Sequence, residues 1–277
     1  MEAAGLMTRT AAGRVSVPPP PPRVRRPGPF AYLLVAGVAA FVIHAYISGA
    51  AISPTTLVEG IGPFTAFIAD AFPPDLARAD AIGAALLETF EIALVGTIFG
   101  TILAIPLAVL AARNTTPNRL VYAGARGLIA LMRTIPDIIW GLIFVVTVGL
   151  GAPAGVLAIT VDVAGFSGRF FADSIEDVDK GLTDGLAATG ARDGGIVVGA
   201  VVPSVTPAWT ATTMFSLEQA TRSSVVLGIV GAGGIGVELT TSMSLLRYDE
   251  AATIILAIFV VVLGVERLSS AVRSRIR

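Results

Sequence analysis

The chain has 277 residues, 54% of them hydrophobic and only 14% charged, with a mean hydropathy of +0.81 and a formal net charge of −1. Soluble domains carry about 25% charged residues, so this is a membrane composition, and the near-neutral balance gives no sign of a nucleic-acid partner. The absence of Cys and the single His44 exclude a disulfide framework, a thiolate metal site and a His-rich metal cluster.

Residues 1–28 hold Arg9, Arg14, Arg23, Arg25 and Arg26 around the run Pro18 to Pro22. Polyproline of this kind is extended and unpacked, so a disordered basic cytoplasmic tail is expected here, ahead of a membrane domain over 29–277. A signal peptide is the competing reading, but the basic region is too long for one. Residues 30–48 form a charge-free run of 19 residues, long enough for an uncleaved first span. Residues 53–78, with Pro54, Pro63, Pro73, Pro74 and three acids, are expected outside the membrane, with a short amphipathic helix over 64–72.

Residues 92–112 give a second span interrupted only by Pro106, which membrane helices tolerate. A basic turn at 113–126 precedes a third span, 127–149, which contains Arg133, Pro136 and Asp137. A break at 149–153 leads to a fourth span at 154–171. A fifth runs over about 203–226, and a sixth over about 251–268. The expected fold is all-α with six transmembrane helices. Of the 19 Lys and Arg, sixteen then fall in the N-terminal tail, 113–133, 169–192 and the C-terminal tail, against three elsewhere (Arg78, Arg222, Arg247). That excess places both termini, and the loop over about 173–203, in the cytoplasm.

Charges inside a bilayer cost roughly 2.5–3.5 kcal/mol each on insertion scales, so they face protein or a water path. Arg133 and Asp137 stand four apart on the third span, and Glu218 and Arg222 repeat that spacing near the outer end of the fifth. Both read either as ion pairs that pin helices or as positive charge presented to an anionic solute, with Thr210, Thr212, Thr213 and Ser216 offering hydroxyls nearby. Gly231, Gly233, Gly234 and Gly236 match the spacing of a dinucleotide-binding fingerprint. That fingerprint needs a strand, a turn and a helix in a soluble unit, and here a membrane span follows. Glycines at this density read as a backbone bend or a close helix approach.

The loop holds Asp184, Gly190 and Pro203, spaced successively six and thirteen residues apart. It resembles the coupling loop of binding-protein-dependent ABC importer permeases, E-A-A-x3-G-x9-I-x-L-P, with Asp184, Gly185 and Leu186 at the acidic triplet and Ala187, Ala191 and Arg192 around the conserved-pattern Gly190. In that family the loop forms a short helix, a Gly bend and a second helix, and the first docks into an ATPase subunit. Further stretches resemble the phosphonate-type permeases: Pro106 to Asn114, Arg133 to Asp137, residues 149–158 and 187–191, and above all Leu217 to Gly236, with Ala220 where that family has Asn. Gly185 departs from the usual Ala and weakens the docking helix.

The resemblance implies a type I importer permease in a bacterial cytoplasmic (inner) membrane. It is not an enzyme, and it is paired with a second copy or a close paralogue. ATPase subunits and an extracytoplasmic solute-binding protein are the implied partners, with membrane lipid around it and a phosphonate, phosphite or phosphate as cargo. No cofactor is expected in this chain, ATP and magnesium belonging to the ATPase. A permease for another small solute, such as an amino acid, would keep the loop but lose the Gly-rich resemblance. A secondary transporter would leave the loop unexplained.

Overall fold

The computed structural model describes residues 28–48 and 54–276, and every regular element among them is helical. Contacts divide the chain into two units, one ending at Phe64 and the other Thr65–Arg277. In the first, α1 (Pro29–Ser48) leaves its apolar side chains exposed along its length, Phe30 and Leu33 among them. A lipid solvent accounts for this, because such side chains gain nothing by leaving it and the helix satisfies its own backbone. The boundary between the units falls inside α2 (Pro54–Ala71), which is helical over 18 residues rather than only the expected 64–72. The tail expected over 1–28 lies outside the described residues except for Gly28.

The second unit contains α3 (Ala79–Ala111), α4 (Arg119–Thr134), α5 (Asp137–Val148), α6 (Ala152–Glu176), α7 (Lys180–Ala188), α8 (Asp193–Ile196), α9 (Val202–Ile229), α10 (Ile235–Ser244) and α11 (Tyr248–Ile276). Its centre is α6 against α3. A Cβ on Gly96 would lie 2.6 Å from Ile159 Cγ2, and one on Gly100 would lie 2.6 Å from Val163 Cβ. Ala104 and Ala108 continue this four-residue stripe with no exposed surface. Small residues at that spacing let two membrane helices approach closely enough for dense van der Waals contact, the main attraction left when the solvent is itself apolar. At one end of the pair, Phe171 stacks on Trp209 of α9 with ring centroids 4.6 Å apart.

Among the described residues, five helices are long and apolar enough to cross a membrane, and α4 with α5 supply a sixth crossing if taken as one broken span. This corrects the expected continuous third span at 127–149: α4 and α5 meet at 90°. Pro136 is the cause, since a residue before proline is driven out of the α region, and Ile135 sits at φ −84°, ψ 121°. The fifth span also starts earlier than expected. α8 runs through a π-helical turn (Val197–Val201) directly into α9, so residues 194–229 form one apolar helical stretch.

The Gly-rich run is a bend, with positive φ at Gly231, Gly233 and Gly234, and it is followed by α10, a helix the sequence pattern did not suggest. The bend is packed to contact. A Cβ on Gly236 would lie 2.1 Å from the Val225 carbonyl oxygen and 2.8 Å from Gly228 Cα. Overpacking a filled site costs about 1–3 kcal/mol. Gly236→Ala is therefore expected to lower both membrane yield and melting temperature. Gly264→Ala, where nothing lies within 4 Å of the new carbon, should leave both near wild type. Thermal unfolding of the two detergent-purified variants checks this.

Candidate functional site

The loop between α6 and α9 is clamped at its base and open at its tip. α6 ends at Glu176, whose Oε1 accepts from Arg113 N at 2.9 Å and from Arg126 Nη2 at 3.0 Å. Arg126 Nη1 reaches Asp173 at 3.0 Å, and its Nε donates to the Ala111 carbonyl at 2.7 Å. Asn114 donates to the Ile175 carbonyl at 2.7 Å, and Trp209 Nε1 to Ser174 Oγ at 2.9 Å. The ends of α3 and α6 are thus tied to the middle of α4 and the second turn of α9 around the loop's two attachment points. Charge-assisted bonds like those of Arg126 are about twice as strong as neutral ones.

Beyond that base the chain is exposed. Asp179 caps α7, accepting from Gly181 N at 2.8 Å, which satisfies one of the donors a helix start leaves free. α7 ends at Ala188, and Gly190 turns the chain at φ +84° while its N–H donates to the Ala187 carbonyl at 2.9 Å. A helix, a Gly bend and a second helix is therefore the observed shape of the stretch holding Asp184, Gly185, Leu186, Ala187, Gly190, Ala191 and Arg192. Asp184 and Ala187 face a cleft of about 570 Å³ shared with the Asn114 to Pro117 turn. α7 thus presents an exposed face on a base held by hydrogen bonds and ion pairs.

The intramembrane charges separate into two arrangements. Arg133 and Asp137 do not share a helical face, because the 90° break falls between them. Asp137 Oδ1 instead accepts from Ile138 N at 2.8 Å at the start of α5. Arg133 is exposed, with its guanidinium 6.0 Å from the Phe166 ring, and among the described residues it has no carboxylate within 4.0 Å. With Arg126, Arg169 and Thr134 it lines a hollow of about 320 Å³. Asp162 on α6 lies within electrostatic reach of both Arg133 and Asp137.

Glu218 and Arg222 do pair, at 2.7 Å, but inside a larger network. Arg222 also lies 3.7 Å from Glu266, and Glu218 lies 3.6 Å from Arg273, both on α11. Arg222 therefore belongs to the contact between α9 and α11, seven residues before the end of α9. The hydroxyl candidates are also committed to packing. Ser216 is buried and bonded to Ser167 of α6 at 3.0 Å. Thr212 donates back to the Ala208 carbonyl at 2.9 Å and borders a hollow lined by Phe166, Phe170 and Phe215.

A second charged cluster joins the start of α3 to α10 and α11. Arg78 pairs with Glu250, and with Glu238 at 3.0 Å. The Glu250 hydrogen bond, then the Glu238 charge, raise the Arg78 pKa above its ordinary value. Arg126, Asp173, Trp209, Glu266 and Arg273 were not apparent as site residues from sequence. The partners are 35 to 55 residues away along the chain and on other helices, and the one local hint was Trp209, one of only 2 Trp.

Residues 104–277, from the last two turns of α3 through the loop to the last helix, match the binding-protein-dependent transport system inner membrane component family. The chain belongs to that family. It is a multi-pass permease subunit of a cytoplasmic-membrane importer, not an enzyme, and works with ATPase subunits and a solute-binding protein. This permease is 37% identical over 223 residues to the phosphite transport system permease protein PtxC of Stutzerimonas stutzeri, covering 80% of this chain and 81% of that protein. It is 40% identical over 220 residues to the phosphate-import permease protein PhnE of Mycolicibacterium smegmatis. That match covers 79% of this chain but only 41% of the longer relative. Its fold is similar to a chain of the inward-facing MetNI methionine ABC transporter, with a TM-score of 0.61 at 22% identity over 71% of this chain and 96% of that one.

Proposed function

We propose that this permease carries a phosphorus oxyanion, a phosphonate, phosphite or phosphate, and that Arg133 meets it on the way through. What carries the reading is the contrast between the two intramembrane arginines. Arg222 has two carboxylates beside it, whereas Arg133 has none within 4.0 Å among the described residues and shares its hollow with Arg126 and Arg169. A guanidinium matches a phosphorus oxyanion with paired N–H donors, and one with no carboxylate in contact, Asp162 lying within electrostatic reach but beyond 4.0 Å, points to a functional path. The relatives named for phosphite and phosphate supply the same class of cargo. Two copies, or this chain and a paralogue, would enclose the path, with ATP and magnesium held by the ATPase subunits.

Proteoliposomes holding the permease, its ATPase and its binding protein test this with labelled phosphate, phosphite and methylphosphonate. Uptake of at least one is expected, inhibited by the unlabelled others and not by methionine. Arg133→Gln should lower it about 10-fold by removing a charge-assisted contact, and Arg133→Lys should keep part of it. Uptake of methionine in place of all three anions would overturn the reading.

The orientation follows from the charge distribution. An introduced cysteine at Ser274 should resist an impermeant thiol reagent applied outside, and one at Ser53 should react. The native chain has no Cys to confuse the labelling. The reverse pattern would place the loop, and hence the ATPase, on the wrong side.

A further inference from the structure

Asp162 is a carboxylate that the packing of α6 leaves without a partner. It lies near the middle of a helix long and apolar enough to cross the membrane and is half-buried. Among the described residues it accepts no hydrogen bond and has no cation within 4.0 Å. Asp173 and Glu176, at the end of the same helix, are both paired with Arg126. Acids in spanning helices face a protein interior or a water-filled path and mark functional positions.

The direction in which Asp162 faces follows from how α4 lies on α6. Arg126 meets Asp173 at 3.0 Å, Ile129 Cδ1 would lie 3.5 Å from a Cβ on Gly168, and Arg133 Cγ would lie 3.1 Å from one on Gly165. The two helices therefore run antiparallel. One further turn in that register carries α4 to the break at Ile135 and Pro136, and carries α6 back to Asp162. At 100° per residue Asp162, Gly165, Phe166 and Arg169 fall within an arc of about 100°, so Asp162 shares the face that packs on Arg133. The Arg133 guanidinium stands 6.0 Å from the Phe166 ring, and both Arg133 and Asp137 act electrostatically on Asp162. Across the break Trp140 Nε1 donates to the Met132 carbonyl at 3.3 Å, which holds the start of α5 in place.

The break thus gathers one arginine and two carboxylates, and Asp137 already has one oxygen committed to the Ile138 N–H. An anion that offers only oxygens gains from Arg133 and is repelled by both acids. An anion that carries an O–H can donate it to a carboxylate while its oxygens take the guanidinium donors. Phosphate keeps a P–OH near neutral pH. Sulfate, with the shape and charge of monohydrogenphosphate, has no proton to give.

We propose that Asp162 is a specificity-determining residue of the anion path, accepting the hydrogen of a protonated phosphorus oxyanion held by Arg133 and repelling oxyanions that have none. This rests on the reading that Arg133 meets the cargo, and adds the criterion by which one tetrahedral anion is taken and another refused. Repulsion of the wrong solute gives selectivity where attraction alone would admit both.

The test reads the permease without the binding protein, whose own selectivity would mask the effect. Thr134, which lines the hollow with Arg133, is replaced by Cys in the full chain, and the permease is assembled with its ATPase in detergent. The native chain has no Cys, so maleimide labelling of the permease band reports on this position alone. Near neutral pH and at matched ionic strength, phosphate is expected to slow labelling relative to chloride. Sulfate should need about 10-fold more for the same protection, the factor that one hydrogen bond to a charged group commands. In Asp162→Asn and Asp162→Ser backgrounds that gap should close, with sulfate protecting at the phosphate concentration. A gain of sulfate recognition cannot come from misfolding. Arg133→Gln should abolish protection by either anion. Failure of phosphate to protect when Asp162 is present would overturn the Arg133 reading and this one with it. Equal protection by phosphate and sulfate there, or a gap that persists in folded Asp162→Asn and Asp162→Ser, would overturn the role of Asp162 alone and leave Arg133 on the path. Loss of all protection in both variants would also overturn it, assigning Asp162 to holding Arg133 in place.

Discussion

Gly190→Pro is expected to abolish solute uptake while leaving the permease in the membrane at wild-type abundance. Gly190 sits at φ +84° and donates its N–H to the Ala187 carbonyl at 2.9 Å. Proline lacks that donor and fixes φ near −65°, so both the bend and its closing bond are lost. The damage is confined to the exposed tip, because the loop's base is held by Arg126, Asn114 and Trp209. A loss of about 10-fold or more is expected, since misplacing a docking element by a few ångströms acts on coupling and not on folding. Gly190→Ala should fall between, because αL backbone costs a non-Gly residue roughly 1–2 kcal/mol. The measurement is uptake together with ATPase activity stimulated by the loaded binding protein. Normal uptake at normal abundance would remove α7 from the coupling path. Gly185→Ala gives the opposite sign: nothing lies within 4 Å of the new carbon, and Ala favours a helix interior over Gly by about 0.8–1.0 kcal/mol, so α7 should be firmer and uptake unimpaired.

The spans were legible because lipid imposes a simple code of long apolar runs. The code fails where one residue overrides a run. Residues 127–149 satisfy it by composition, yet Pro136 forces Ile135 out of the helix and turns the chain by 90°. A proline can be absorbed or can break a helix, and neighbouring packing decides which. Pro106 shows the other outcome, lying inside the unbroken α3. The loop was legible for a different reason, since an acid, a bend-forming Gly and a Pro at set spacings are local features. The packing role of Gly228 and Gly236 was legible only in part. Their density predicts a bend, but the 2.7 Å that a Gly228 Cβ would leave to Gly236 Cα depends on how α9 and α10 fold back on each other. The charge network was half visible: the four-residue spacing of Glu218 and Arg222 suggests a pair, and their α11 partners are beyond any local pattern.

That network sets the outcome of exchanging the Glu218 and Arg222 charges. For an isolated pair, Glu218→Arg/Arg222→Glu would keep the attraction and serve as a clean test of whether Arg222 meets the anion. The structure predicts otherwise. A carboxylate at position 222 would face Glu266, now 3.7 Å from the guanidinium, and a guanidinium at 218 would face Arg273, now 3.6 Å from the carboxylate. The double exchange therefore builds two like-charge contacts around a position that is 8% exposed. Leaving a charge buried and uncompensated is strongly destabilising. Membrane abundance is expected to fall severalfold, and uptake with it, whether or not Arg222 touches the cargo. Adding Glu266→Arg and Arg273→Glu reverses all four charges and restores every attraction. If the network only joins α9 to α11, this quadruple variant should recover abundance and most uptake, while Arg133→Gln, with abundance intact, should still transport about 10-fold less for want of its charge-assisted contact. Recovery of abundance without uptake would return Arg222 to the anion path. Quantitative immunoblotting and uptake on the same membranes separate the outcomes, and the expected one leaves Arg133 as the arginine that meets the anion.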